Sequence, residues 1–202
     1  MICLKLANCL FRVSSTKHES QSCYRGMVFN TWPLQEQSMA LDSTIRSIGV
    51  IGTPGCGKTT LCKSLGLPVI SLRDFAEQNG CLGEVESDGA APIDVEALSR
   101  VWVQPAELTL IDSHLAHFIP VDALIVVRCH PDELKTRLES RGYSEEKVRA
   151  NVEVEMLGGP WNDLLEDSRP IFESNEGHFE WIRDGCPNHT TPNIAIDWLA
   201  LP

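Results

Sequence analysis

Residues 47–60 read SIGVIGTPGCGKTT, an apolar run that leads into glycines and then into a lysine and two threonines. The apolar residues 47–51 predict a short buried strand, the glycine-rich segment 52–57 predicts a turn, and 58–65 predicts a helix. Residues 52–59 match the pattern GxxxxGK[ST] in full. A strand, a glycine-rich turn and a helix in this order predict a P-loop protein.

The glycine-rich turn has the composition of a phosphate-binding loop. Without Cβ atoms the backbone can curl so that successive N–H groups point inward, and the helix that follows adds its positive N-terminal dipole. We expect the phosphates of ATP to be bound by Gly52, Gly55, Cys56, Gly57, Lys58, Thr59 and Thr60. Lys58 would supply charge to the β and γ phosphates, the Thr59 hydroxyl would ligate magnesium, and the Thr60 N–H would reach the α phosphate.

A second apolar run, residues 107–112 (ELTLID), ends in a carboxylate. Open α/β sheets bind ligands at the carboxyl ends of their strands, so Asp112 is predicted to join Thr59 on the magnesium side of the loop. His114 and His117 follow in the same segment. A zinc site here is disfavoured, because the phosphates and water already supply the oxygen ligands that magnesium prefers.

Two interpretations of His114 remain open. Its imidazole could orient the attacking group or the γ phosphate through a hydrogen bond, or it could be a structural histidine. For His117 the structural interpretation is favoured.

The rest of the chain alternates strands with helices. Further strands are predicted at 68–72, 107–112 and 123–129, and helices at 73–79, 94–102, 131–139 and 144–157. This alternation predicts an α/β fold, a three-layer P-loop NTPase sandwich with a parallel sheet. The signals are weaker towards the C-terminus, where 161–173 reads as a helix, 178–182 as a strand and 191–199 as a final helix.

Charge and composition exclude several classes of protein. The chain has 202 residues and a net charge of −11, and no apolar run is long enough to cross a bilayer. Residues 1–46 carry a charge of +2 and residues 47–202 a charge of −13. An acidic body repels a phosphate backbone, so direct binding to DNA or RNA is disfavoured, whereas a basic protein would be attracted to it.

The termini and the cysteines bear on organisation and location. Residues 1–44 show no sustained period and predict a poorly ordered N-terminal extension, which leaves residues 45–202 as the P-loop kinase domain. Lys5 and Arg12 interrupt the first apolar run, which argues against a secretory signal. Eight scattered cysteines without zinc-type pairs fit a reducing compartment, so we expect a cytoplasmic protein.

A basic cluster follows the strand predicted at 123–129. Its members are Arg137, Arg141, Lys147 and Arg149. Guanidinium groups stabilise the charge that builds up on a moving phosphoryl group. The alternative is ordinary surface charge paired with neighbouring glutamates, which is the default for any one of these residues.

Three segments together, GTPGCGKTT, IDSHLAH and RLESRGYSEEKVRANVEVEM, resemble the adenylate kinase isoenzyme 6 family in its archaeal form. The resemblance covers about residues 47–157. It implies a nucleoside-monophosphate kinase fold with a short lid near 140–150 and a monophosphate-binding region near 71–94. It also implies transfer of phosphate from ATP to AMP, ATP hydrolysis, and a role in small ribosomal subunit maturation through a small-subunit ribosomal protein.

The same resemblance assigns roles to individual residues. It implies that the ATP phosphates are bound by Gly55, Gly57, Lys58, Thr59 and Thr60. Arg141 matches the lid arginine of the family, and Asp112 and His114 match its metal and hydrolysis pair. The implied catalytic residues are therefore Lys58, Asp112, His114 and Arg141.

The sequence departs from the family pattern in the monophosphate region. The family carries an arginine after Asp-Leu-Ala, whereas here residues 74–76 (DFA) are followed by Glu77, and Arg73 is the available substitute. The basic residue that the family carries in its C-terminal part has no clear counterpart.

Three hypotheses follow. The first is an ATP:AMP phosphotransferase with ATPase activity. The second is an ATP-driven assembly switch that binds a basic ribosomal protein and has little kinase activity, which the acidic body and Glu77 favour. The third, a small-molecule kinase of another P-loop branch, is opposed by the DxHxxH and RGY motifs.

Overall fold

A computed structural model describes residues 45–85 and 91–200 of the chain, so the predicted extension at 1–44 lies outside the described residues. The fold is built on one five-stranded sheet. Its strands are β1 (Ser47–Ile51), β2 (Val69–Ser71), β3 (Thr109–Asp112), β4 (Ala123–Val126) and β5 (Ile171–Glu173). They lie in the order β2-β3-β1-β4-β5 and every neighbouring pair is parallel.

The described part of the chain has six α-helices, five of which lie between strands. They are α1 (Lys58–Leu65), α2 (Leu72–Gln78), α3 (Val95–Val101), α4 (Pro131–Ser140), α5 (Glu145–Met156) and α6 (His178–Arg183). Local signals place several starts: the side chains of Asp94 and Ser144 accept hydrogen bonds from the first turns of α3 and α5, and Pro131 opens α4. These starts confirm the sequence-based assignments.

Successive strand residues point to opposite faces of the sheet, and helices cover both faces. On one side Ile48 and Val50 of β1 pack in a cluster with Cys62 of α1 and Trp181 of α6. On the other side Ile51 belongs to a cluster that includes residues of α2 and α3. A parallel sheet covered on both faces explains why its strands are continuous apolar runs. The predicted α/β three-layer P-loop architecture is confirmed.

The C-terminal third differs from its predicted elements. Residues 161–173 were predicted as one helix, but the structure has a 3₁₀ turn at Gly159–Asp163 and then strand β5. Residues 178–182 form helix α6 rather than a strand. The final segment holds only a short 3₁₀ turn at Pro192–Ile194. Packing overrides propensity here, because the aromatic residues of α6 are placed by contact with β5 rather than by local preference.

The described residues also bear on the membrane and cysteine expectations. No helix among residues 45–85 and 91–200 is both long and apolar enough to cross a membrane. The cysteines in this part are free and buried, namely Cys56, Cys62, Cys81, Cys129 and Cys186. They act as small apolar side chains, as expected for most of the thiols.

Candidate active site

The phosphate-binding loop leaves the carboxyl end of β1, the central strand. Its first residue, Gly52, has φ 146°, and a Cβ atom there would lie 2.3 Å from the Val127 carbonyl oxygen of the neighbouring strand segment. Only glycine fits. Gly57 precedes helix α1, and no side chain caps the first turn of that helix. The N–H groups that begin α1 are therefore free to bind an anion.

Lys58 is held against the start of the same loop. Its ammonium nitrogen donates to the carbonyl oxygens of Gly52 at 2.8 Å and Thr53 at 3.1 Å. These two carbonyls fix the position of a full positive charge beside the loop. The predicted role of Lys58 towards phosphate agrees with this placement and stays a prediction.

Thr59 and Asp112 meet, as the sequence predicted. The Thr59 hydroxyl donates to Oδ2 of Asp112 at 2.6 Å. Asp112 ends β3 and lies in register with Val50 of β1, one strand away. A hydroxyl and a carboxylate are hard oxygen donors of the kind that magnesium prefers, so this pair fits a magnesium site.

The two histidines of the DxHxxH segment have different surroundings. Desolvation lowers the pKa of His114, and the charges of Lys58 and then His117 lower it further, so its imidazole is neutral near pH 7. His117 is buried, and its Nε2 lies 3.4 Å from Oδ2 of Asp163. Desolvation also lowers the pKa of His117, with Asp163 acting in the opposite direction. His117 is buried as a structural histidine would be, but neither of its ring nitrogens has a hydrogen-bond partner among the described residues, whereas His114 lies near enough to Lys58 for the lysine charge to lower its pKa.

A cleft of about 580 Å³ opens beside the phosphate-binding loop. Its walls come from the loop, α1, the end of β4, the end of α4 and the segment that leads from β5 into the start of α6. Ser174, Asn175 and His178 contribute the last of these walls. Sequence reasoning missed all three because it did not recognise β5. The available signal was the short run IFESN at 171–175, in which apolar residues precede two small polar ones.

The basic cluster separates into two groups. The Arg137 guanidinium donates to the carbonyl oxygens of Cys56 at 3.1 Å and Gly55 at 3.4 Å, and both Arg137 and Arg141 line the cleft. Arg141, exposed at the end of α4, makes no side-chain hydrogen bond or ion pair with another described residue. By contrast, Lys147 lies over the Tyr143 ring, 5.1 Å from its centroid. The predicted lid arginine is thus free to contact a ligand.

Cys56 contributes to the phosphate-binding loop through its backbone, not through its thiol. Burial raises the pKa of its thiol, against the opposing effect of Lys58. The side chain packs in an apolar cluster with Leu134 and Leu138 of α4. Its amide nitrogen donates to the Thr53 carbonyl at 3.1 Å, which closes the turn of the loop. The thiol is therefore a protonated packing group.

A buried group of charges lies behind the loop, and sequence reasoning did not identify it. We call Arg128, Glu155 and Glu173 the buried charge cluster. The Arg128 guanidinium donates to Glu155 Oε1 at 2.7 Å and to Glu173 Oε1 at 2.9 Å. The Thr53 hydroxyl of the phosphate-binding loop donates to the second oxygen of Glu155. The only sequence signal was a charge inside an apolar run, ALIVVRC at 123–129.

Comparison with known proteins shows the family to which the chain belongs. A family model described as an AAA domain matches residues 48–158, more than half of the chain. A protein of Methanosarcina mazei described as "Putative adenylate kinase" is 38% identical over 191 residues, which cover 75% of this chain and 97% of that protein. The chain belongs to the archaeal-type adenylate kinase family of P-loop NTPases.

Other relatives carry the same description. The Methanosarcina barkeri protein is 34% identical over 179 residues, covering 76% of this chain and 98% of that protein. The Pyrococcus abyssi protein is 37% identical over 134 residues, covering 62% of this chain and 72% of that protein. As a member of the adenylate kinase family, the chain is a nucleotide-binding kinase.

Proposed function

We propose that this chain transfers the γ-phosphoryl group of ATP to AMP and also hydrolyses ATP. One arrangement carries the proposal: the uncapped start of α1, with Gly57 and Thr60, opens onto a cleft of about 580 Å³, and the Lys58 ammonium is held by the first carbonyls of the same loop. That volume lies within the usual range for small-molecule sites, roughly 300–1,000 Å³. The names of the curated relatives support adenylate as the acceptor.

ATP would bind with its phosphates on the loop and its base in the cleft. The loop amides and the start of α1 supply N–H donors to the phosphates. Leu61 and Val127 provide apolar surface in the cleft, and Ser174 and Asn175 provide polar groups for the edge of a base. Apolar side chains beside polar groups of this kind can hold and orient a nucleoside.

Transfer would proceed by positioning and charge stabilisation. Lys58 and Arg141 compensate the negative charge of the γ-phosphoryl group, and this matters most in the transition state. Magnesium held by Thr59 and Asp112 would, when bound, neutralise phosphate charge. In ATP hydrolysis the neutral imidazole of His114 can accept a hydrogen bond from the attacking water.

AMP would bind on the side of the sheet where α2 follows β2. Arg73 is exposed in the first turn of α2 and is available for the AMP phosphate. Glu77, one turn later, is also exposed and stands where the family pattern has an arginine. A single arginine can still bind a phosphate through two parallel N–H donors.

The proposal is tested by product analysis. Purified protein is incubated with ATP and magnesium, alone and with each nucleoside monophosphate in turn, and the nucleotides are separated. ADP formation that depends on AMP supports the kinase, and slow ADP formation without acceptor supports the accompanying ATPase activity. If no nucleoside monophosphate increases ADP formation, the chain is not a nucleoside-monophosphate kinase.

A second candidate function is an ATP-driven switch that acts in the cytoplasm in assembly of the small ribosomal subunit. Two observations favour it: the charge of −13 on residues 47–202, which suits a basic ribosomal protein, and Glu77 in the monophosphate region. The same experiment separates the candidates, because the switch produces ADP at one rate whichever monophosphate is present. Salt-sensitive binding of a basic small-subunit ribosomal protein would then support it.

A further inference from the structure

The phosphate-binding loop is attached to the protein interior through one side chain. Thr53 is the second residue of the loop and is 3% exposed. Its hydroxyl donates to Oε2 of Glu155, which is the penultimate residue of α5 and fully buried. Because the first half of α5 lies within the predicted lid at 140–150, this contact joins the lid helix to the loop.

Glu155 is itself held rigidly. Its Oε1 accepts hydrogen bonds from Arg128 Nε at 2.7 Å, the Cys129 amide at 3.2 Å and the Trp198 indole at 3.1 Å. Three donors on one oxygen leave the other oxygen directed at Thr53. A carboxylate fixed in this way is a preorganised acceptor, since it does not have to reorient when the Thr53 hydroxyl binds.

Thr53 in turn positions the reactive part of the loop. Its carbonyl oxygen accepts from the Lys58 ammonium at 3.1 Å and from the Cys56 amide at 3.1 Å. A shift of Thr53 would therefore move both the lysine charge and the turn that contains the amide donors. Among the described residues, every acceptor of the Lys58 ammonium belongs to the loop itself.

The space around this contact is closed. A Cβ atom at Gly159 would lie 3.2 Å from Glu155 Oε2, 3.5 Å from Thr53 Oγ1 and 3.6 Å from Arg128 Nε. Gly159 also has φ +58°, which disfavours any other residue. The backbone thus packs directly against the contact between Glu155 and Thr53.

We propose that Glu155 is a positioning residue for phosphoryl transfer, which aligns Lys58 by fixing the hydroxyl and hence the carbonyl of Thr53. The inference rests on the proposed function. Lys58 stabilises charge mainly in the transition state, whereas the loop amides hold ATP in the ground state. Loss of the contact should therefore lower kcat more than it raises KM for ATP.

The test compares variants that remove the hydroxyl at two buried sites. Thr53→Val keeps the shape of threonine but lacks the hydroxyl that donates to Glu155, whereas Thr53→Ser keeps that hydroxyl. Thr109→Val is the matched control, because Thr109 is also buried and its hydroxyl donates to the Glu107 carbonyl at 2.9 Å, at the end of β3 remote from the site. For each variant kcat, KM for ATP and the melting temperature are measured.

We expect Thr53→Val to lower kcat by about 10- to 100-fold, the effect of misplacing a catalytic group by roughly 1 Å. Its KM for ATP should change by less than about threefold, because the contacts that bind ATP equally well in the ground state and the transition state are kept. Thr53→Ser should recover most of the lost kcat, and Thr109→Val should keep the wild-type kcat even if it melts earlier. Glu155→Met, which removes both carboxylate oxygens at similar side-chain length, should lower kcat like Thr53→Val, and the double variant should be no worse than the poorer single one, since both break the same contact.

Three results would overturn the inference. One is a kcat within twofold of wild type in Thr53→Val. Another is an equal loss of kcat in Thr53→Val and Thr109→Val that is proportional to the fall in melting temperature, because this would show a purely structural role. The third is additive losses in the double variant. If wild-type protein gives no heat with magnesium ATP in a calorimetric titration, the proposed function fails and this inference fails with it.

Discussion

Arg128→Met should destabilise the fold strongly, because it leaves two carboxylates buried without a cation. The Arg128 side chain is 1% exposed, and its guanidinium also donates to the carbonyl oxygens of Glu155 at 2.9 Å and Ile196 at 3.0 Å. Breaking a buried ion pair by removing one partner costs about 3–5 kcal/mol. For a domain of this size that corresponds to a fall in melting temperature of roughly 6–20 °C.

The measurement is urea denaturation followed by tryptophan fluorescence. The indoles of Trp161 and Trp198 donate to Glu173 at 3.0 Å and to Glu155 at 3.1 Å, so their emission reports on the cluster directly. Arg100→Met is the matched control: Arg100 pairs with Glu96 on the surface, and its side chain is 67% exposed. Its unfolding free energy should change by less than about 1 kcal/mol.

A further variant separates loss of charge balance from loss of packing. Arg128→Met combined with Glu155→Gln and Glu173→Gln removes all three charges while keeping similar volumes. Its stability should recover part of the loss, because a neutral cluster carries no uncompensated charge. A loss below about 1 kcal/mol in Arg128→Met, or a triple variant no more stable than the single one, would refute the reasoning.

Lys58→Ala should lower kcat at least about 100-fold, as removal of a transition-state donor does, while Lys63→Ala at the exposed end of α1 should not; similar steady-state rates for both would contradict the assignment. Arg73→Ala should raise KM for AMP by about tenfold or more without changing ATP hydrolysis measured in the absence of AMP, and an unchanged KM would exclude Arg73 from the acceptor site. The unfolding free energy should fall as the pH drops below about 6.5, the ordinary histidine value, because His114 and His117 have lowered pKa values and the unfolded chain takes up protons that the folded chain does not. Urea titrations at pH 7.5 and 5.5 check this, and His117→Gln should reduce the difference between them.

The first part of the site could be predicted because its signals are local. Residues 47–65 carry strand, turn and helix patterns in one continuous stretch, and the structure has these elements within the same bounds. Asp112 was found by a topological rule, since parallel strands bring their carboxyl ends to the same edge. That rule brought Asp112 to Thr59 although 53 positions separate them in the chain.

The missed features depend on contacts between distant segments. Strand β5 has three residues, and its last, Glu173, is a charged side chain that looks like surface until Arg128 is placed beside it. Glu155 likewise reads as one of several glutamates on an amphipathic helix. Burial of such charges is decided by their partners, which a single sequence does not reveal. The error in β5 then concealed Ser174 and Asn175 in the cleft.

The order of strands has a consequence for synthesis of the protein. Strand β1 is made first, yet it lies at the centre, and its two neighbours begin at Thr109 and Ala123. A growing chain on the ribosome thus holds an unpaired apolar strand until β3 and β4 have emerged, a period in which such strands are prone to aggregate. The contact that seats the phosphate-binding loop comes later still, from α5. Before α5 is made the loop is held by α4 alone, through Arg137 and the packing of Cys56, so we expect ATP to stabilise chains whose synthesis has passed α5 more than shorter ones.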